Sequence, residues 1–176
     1  MTSLRTNRRR FMTAAAASPF AFAASPALAQ KGETEAFTYE IVRPDAEWRD
    51  RLTEFEYAIL REGGTEKPRS SNLWNETRKG TYHCKGCGLL SYSSDWKVEL
   101  DKGWVFFLHG EENAHLLGQD DTNPYGGGGG TADKLNVLIE VHCRRCGSHL
   151  GHLLRVDGLL VHCINGAALD FRPAEA

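Results

Sequence analysis

Two short cysteine motifs constrain this chain more than any other feature. Cys84-Lys85-Gly86-Cys87 and Cys143-Arg144-Arg145-Cys146 are each followed at once by a glycine, Gly88 and Gly147. In such a knuckle the backbone amides turn toward the thiolates while both sulfurs face one ion. Four thiolates satisfy Zn2+ tetrahedrally and leave no open position, so an ion held this way is structural. Two disulfides are the alternative, and an exported chain could form them. A bridge inside C-x-x-C usually belongs to redox-active folds, however, and two in one domain would be odd. The spacing therefore predicts a four-thiolate zinc site on Cys84, Cys87, Cys143 and Cys146, with zinc as the cofactor.

The N-terminus reads as targeting sequence. Asn7-Arg8-Arg9-Arg10-Phe11-Met12 runs into an Ala-rich stretch from Thr13 to Leu28, and Ala27-Leu28-Ala29 offers a small-x-small cleavage site. The paired arginines before Phe11 resemble a twin-arginine signal. Pro19 and Pro26 interrupt the apolar core, which is too short to span a bilayer. The expected organisation is a signal peptide over 1–29, a linker over 30–43 and a single domain over 44–176. Export by the twin-arginine route to the periplasm, or elsewhere outside the cytoplasm, is expected, with no membrane span after signal removal. That route carries folded proteins, so zinc could be loaded before the cysteines meet an oxidising compartment. A formal net charge of −2 gives no reason to expect nucleic acid as a partner.

Helix signals precede the cysteines and strand signals follow them. Asp45 can cap a turn through Trp48 and Leu52. Thr53-Glu54-Phe55-Glu56 reads as a capping box, and Phe55, Ala58, Ile59 and Leu60 supply an apolar stripe ended by Gly63-Gly64. After Gly80, β-branched and aromatic runs predict strands at Thr81–His83, Trp104–Leu108, Leu135–His142, His149–Val156 and Leu159–Ile164. The fold class is mainly β. Gly126 to Gly130 lack the Lys-Ser/Thr and helix of a phosphate-cradling loop and read as a surface loop.

The fifth cysteine, Cys163, stands in Val161-His162-Cys163-Ile164-Asn165-Gly166. A cysteine outside the metal site in an exported protein points to reactivity or to intermolecular pairing; between apolar neighbours it can also be simple core. Asn165 lies two residues on, on the same side of a strand. Ser148-His149-Leu150-Gly151-His152 places two histidines directly after the second knuckle. Imidazoles beside a thiol lower its pKa or pass a proton to a leaving oxygen; a second metal site or packing are their other uses.

These motifs together resemble the B-type methionine sulfoxide reductases. The resemblance rests on the two knuckles, His149-Leu150-Gly151-His152 and Cys163-Ile164-Asn165-Gly166-Ala167-Ala168-Leu169. Upstream it includes Glu47-Trp48-Arg49 through Tyr57 and then Gly64-Thr65-Glu66-Lys67-Pro68, and it spans roughly Arg43 to Pro173. It implies a β-tent of two antiparallel sheets with short N-terminal helices, stapled by zinc. It also implies thiol-dependent reduction of the R epimer of methionine sulfoxide in proteins or peptides, with an external, thioredoxin-like reductant. Carried over, Cys163 is the nucleophile with His149, His152 and Asn165 around the sulfoxide, while Trp104 and Phe107 form the aromatic wall for the substrate methyl. Where the family usually has Gly-Trp-Pro-Ser-Phe, this chain has Gly103-Trp104-Val105-Phe106-Phe107, and Val161 stands where Arg is usual. The other class of function in view is a non-catalytic relative, a zinc-stabilised binding or redox-sensing module.

Overall fold

Capping chemistry and turn residues set the first elements. The computed structural model describes residues 37–120 and 138–175, so the signal-like segment and the glycine run lie outside the described residues. Helix α1 (Asp45–Arg51) is preceded by Pro44 at the N-cap. Asp45 is its first helical residue and accepts hydrogen bonds from Arg49 and from the Tyr57 hydroxyl, so it ties two helices together where a cap was expected. Helix α2 (Glu54–Glu62) has the predicted capping box, with Thr53 and Glu56 each satisfying the other's backbone amide, and it ends on left-handed Gly63. Its buried residues are Tyr57, Ile59 and Leu60. Phe55, expected in the stripe, is 51% exposed because Tyr57 takes the inward position.

Nine strands are present among the described residues: β1 (Gly80–Cys84), β2 (Leu90–Ser93), β3 (Lys97–Val98), β4 (Val105–Phe107), β5 (His115–Asp120), β6 (Leu138–Cys143), β7 (His149–Val156), β8 (Leu159–Ile164) and β9 (Leu169–Pro173). They form a three-stranded sheet, β2-β1-β9, and a six-stranded sheet, β3-β4-β8-β7-β6-β5. Every pairing is antiparallel. The two antiparallel sheets expected from the sequence are present. Strands β2, β3, β5 and β9 add to those read from the sequence; β3 is two residues long, and β2 mixes two serines into its four positions.

The main core joins both sheets to the helices. Trp48, Ile59 and Leu60 pack with Tyr82, Tyr92, Phe107, Val141, Leu150, Ile164 and the knuckle cysteines Cys84, Cys143 and Cys146. A smaller cluster of Phe106, Val161 and Cys163 lies apart from it, with Trp104, Val98, Leu100, Leu154 and Val156 packed around. That separation places the fifth cysteine outside the core that contains the four knuckle cysteines. No described helix is long and apolar enough to cross a membrane.

Candidate active site

The two knuckles are built alike. In the first, Gly88 N donates to Cys84 O at 2.7 Å and Cys84 N donates to Leu89 O at 2.8 Å. In the second, Gly147 N donates to Cys143 O at 2.9 Å and Cys143 N donates to Ser148 O at 2.8 Å. Gly88 and Gly147 adopt φ of 73° and 70°, the left-handed conformation that closes each turn and that favours glycine. The four sulfurs all lie within 4.8 Å of one another. Across the knuckles, Cys84 Sγ is 3.8 Å from Cys146 Sγ and Cys87 Sγ is 3.5 Å from Cys143 Sγ. A tetrahedron with metal–sulfur bonds of about 2.3 Å has edges of about 3.8 Å, so the donor set fits a metal ion without rearrangement.

The candidate catalytic residues meet in the larger sheet. In antiparallel strands, residues directly opposite point to the same face. Glu140 of β6 faces His152 of β7, His152 faces Cys163 of β8, and Cys163 faces Phe106 of β4. One row across four strands thus carries a carboxylate, an imidazole, a thiol and an aromatic ring. Close approach of β7 to β8 is possible because residue 151 is glycine: a Cβ there would lie 2.2 Å from the Cys163 carbonyl oxygen. His149 joins the row from β7, with its ring centroid 5.1 Å from that of His152 and its Nδ1 3.1 Å from Glu140 Oε1. His149, His152 and Cys163 are 2%, 1% and 4% exposed, so these three side chains sit in a water-poor setting. Low dielectric strengthens each electrostatic contact there.

Asn165 is buried beside them, and its side chain acts on backbone. Its Oδ1 accepts from Glu66 N at 3.0 Å, and its Nδ2 donates to Leu150 O at 3.2 Å and Gly64 O at 3.4 Å. Glu66 returns the clasp, accepting from Gly166 N at 2.6 Å and Ala167 N at 3.0 Å. The Glu66 carbonyl accepts from Trp104 Nε1 at 3.1 Å. Burial pushes the Glu66 carboxyl upward despite those amides. Glu66 therefore locks the Gly64–Glu66 loop, the Trp104 ring and the turn after Cys163 into one unit.

The two aromatic expectations part company. Trp104 lies in the cluster around Cys163. Phe107 does not: it pairs with His162, one residue off the row, and so points to the opposite face. There it is fully buried, stacked on Tyr92 at 4.2 Å and edge-on to Tyr82 at 5.0 Å. The ring opposite Cys163 is Phe106 instead. His162 shares Phe107's face, hydrogen-bonds the Tyr92 hydroxyl at 3.1 Å and is pushed by burial down to about 4. Sequence reading passed over Phe106, Glu140 and Glu66. Only the register of β4 on β8 and of β6 on β7 brings the first two into the row, and no local signal in the sequence sets that register. Nothing short of the fold pointed to Glu66, whose partners lie a hundred residues away.

Comparison with known proteins agrees with this construction. The SelR domain family model matches residues 52–173. A peptide methionine sulfoxide reductase MsrB of Leifsonia xyli subsp. xyli is 36% identical over 155 residues, which cover 84% of this chain and 98% of that protein. The MsrB of Methanosarcina barkeri is 37% identical over 139 residues, 77% of this chain and 90% of the relative. That of Cellvibrio japonicus is 39% identical over 129 residues, 71% and 84% respectively. With the knuckles, the histidine pair and the Cys163 row all inside the matched span, the chain belongs to the SelR domain family of MsrB-type peptide methionine sulfoxide reductases.

Proposed function

We propose that the protein reduces the R epimer of methionine sulfoxide, carried in proteins or peptides, to methionine, using Cys163 as nucleophile. The observation that carries this reading is the row Glu140–His152–Cys163–Phe106, with His149 beside it. The Cys163 thiolate attacks the sulfoxide sulfur while a protonated imidazole, from His149 or His152, gives its proton to the oxygen. The oxygen passes to Cys163: thiol plus sulfoxide become sulfenic acid plus thioether. One external thiol then condenses with the sulfenic acid, releasing water and leaving a mixed disulfide. A second thiol reduces that disulfide and restores Cys163. Trp104, held by Glu66, and the apolar cluster around Phe106 and Val161 form the wall for the substrate methyl. The ion held by the four knuckle cysteines is Zn2+, and it supplies stability rather than chemistry. Support for export comes from Arg8-Arg9-Arg10-Phe11 and Ala27-Leu28-Ala29, and we assign the folded, metal-loaded chain to the twin-arginine route.

The intermediate gives a direct test. Asp101-Lys102 stands before Trp104 where a second cysteine could have attacked the sulfenic acid, and the other four cysteines belong to the knuckles. Without external thiol, the protein should form about one methionine per chain and stop, with dimedone labelling Cys163. Multiple turnovers without reductant, or an internal disulfide from Cys163 to a knuckle cysteine with release of metal, would contradict this.

A further inference from the structure

We infer that Glu140, His142 and His149 form a second, exchangeable divalent-cation site of two imidazoles and one carboxylate, and that occupancy of this site holds the reductase off. The ligand atoms of these three residues lie within 4.8 Å of one another, in a group separate from the four knuckle sulfurs. The site is assembled by an irregularity in the sheet. The register of β6 on β7 shifts between Val141 and His142, and the shift puts His142 opposite His149 while Glu140 stays opposite His152. Glu140 then lies between two imidazoles, with Oε2 2.9 Å from His142 Nε2 and Oε1 3.1 Å from His149 Nδ1.

Those two distances, one to each oxygen of the carboxylate, are of the length that separates neighbouring ligands on one ion. Zinc–nitrogen and zinc–oxygen bonds of about 2.0–2.1 Å separate neighbouring ligands by about 2.9 Å in an octahedral site and about 3.4 Å in a tetrahedral one. A second observation concerns the far side of the His142 ring. Its Nδ1 lies 3.3 Å from the Gly147 carbonyl oxygen, which can only accept, while its Nε2 is turned toward Glu140. A ring N–H given to a backbone carbonyl is the usual outer-shell support of a metal-bound histidine. Imidazole with carboxylate suits zinc and its first-row neighbours rather than calcium or magnesium. Three protein ligands leave a position open to water, so this site differs in kind from the closed knuckle site. The side chains of Glu140 and His142 are about a quarter exposed, which gives the ion a way in, whereas His149 at its inner end is buried.

The consequence for activity rests on the proposed function; the binding itself does not. An ion on His149 Nδ1 and on Glu140 fixes both groups beside His152 and Cys163, and removes His149 as a proton carrier.

Zinc content after dialysis against micromolar free zinc, followed by single-turnover methionine formation without thiol, tests both parts. The expected result is about two zinc ions per chain for the wild type and for Cys163→Ser, and about one for His142→Ala. Zinc should slow the wild-type single turnover about tenfold and leave the rate of His142→Ala unaffected by the metal. One zinc in the wild type, or two in His142→Ala with one in Cys163→Ser, would overturn the site, the latter by placing the ion on the thiol. A second ion bound with no change in rate would keep the site and overturn its regulatory effect. Circular dichroism of each variant separates these outcomes from misfolding, and a wild type that makes no methionine even without added zinc would count against the reductase reading alone.

Discussion

Replacing Cys163 by serine should abolish methionine sulfoxide reduction, a loss on the order of a thousand-fold or more, while metal content and fold are kept. A hydroxyl is a far poorer nucleophile than a thiolate and cannot accept the oxygen as a sulfenic acid. The structural cost should be small because Cys163 lies in the satellite cluster of Phe106 and Val161, apart from the core that the knuckles brace. Exchanging sulfur for oxygen at a site 4% exposed should cost about 1 kcal/mol, within the usual range for a point substitution. Turnover by the variant near the wild-type rate would move the chemistry to another group. Loss of cooperative unfolding would make Cys163 a core residue and no more.

Cys84→Ser should have the opposite signature, releasing the metal and unfolding the domain. The sulfur of Cys84 faces that of Cys146, and its backbone sits where β1 pairs with β9, so one thiolate links the small sheet to the second knuckle. A structural zinc site of this type contributes on the order of 10 kcal/mol to folding, comparable with the whole stability of a small domain. The variant should bind well under one zinc per chain and lose its cooperative thermal transition. Chelation of the wild type under denaturing conditions should prevent refolding until zinc is returned. A metal-free chain with native melting behaviour, or one with disulfides in both knuckles, would refute the structural role.

What the sequence showed and what it hid follow from how far apart the interacting groups stand in the chain. Among the local signals, Thr53-x-x-Glu56 is a capping box as expected, whereas Asp45 is the first helical residue rather than the cap. The cysteine pairs announced their cluster because metal-ligand spacing is short-range and specific. Strand pairing was less accessible, since short strands such as Lys97–Val98 have no periodicity to read. The misplacement of Phe107 is instructive. Two adjacent phenylalanines must point to opposite faces of β4, and only the register with β8 decides which meets Cys163. That register gives Phe106 to the thiol and Phe107 to the core. Asn165 was singled out from the sequence, but its clasp with Glu66 was not, because it joins segments separated by 99 residues.

Whether the sheet row centred on Cys163 reduces sulfoxide is decided by incubating the purified, zinc-loaded protein with dithiothreitol and each epimer of an acylated methionine sulfoxide, and measuring methionine by chromatography. Sustained conversion of the R epimer is expected, with at least about a hundred-fold preference over the S epimer, as a buried and asymmetric site imposes. No conversion of either epimer by a folded protein containing zinc would contradict it, and would make the chain a zinc-stabilised module that keeps the scaffold without the reaction.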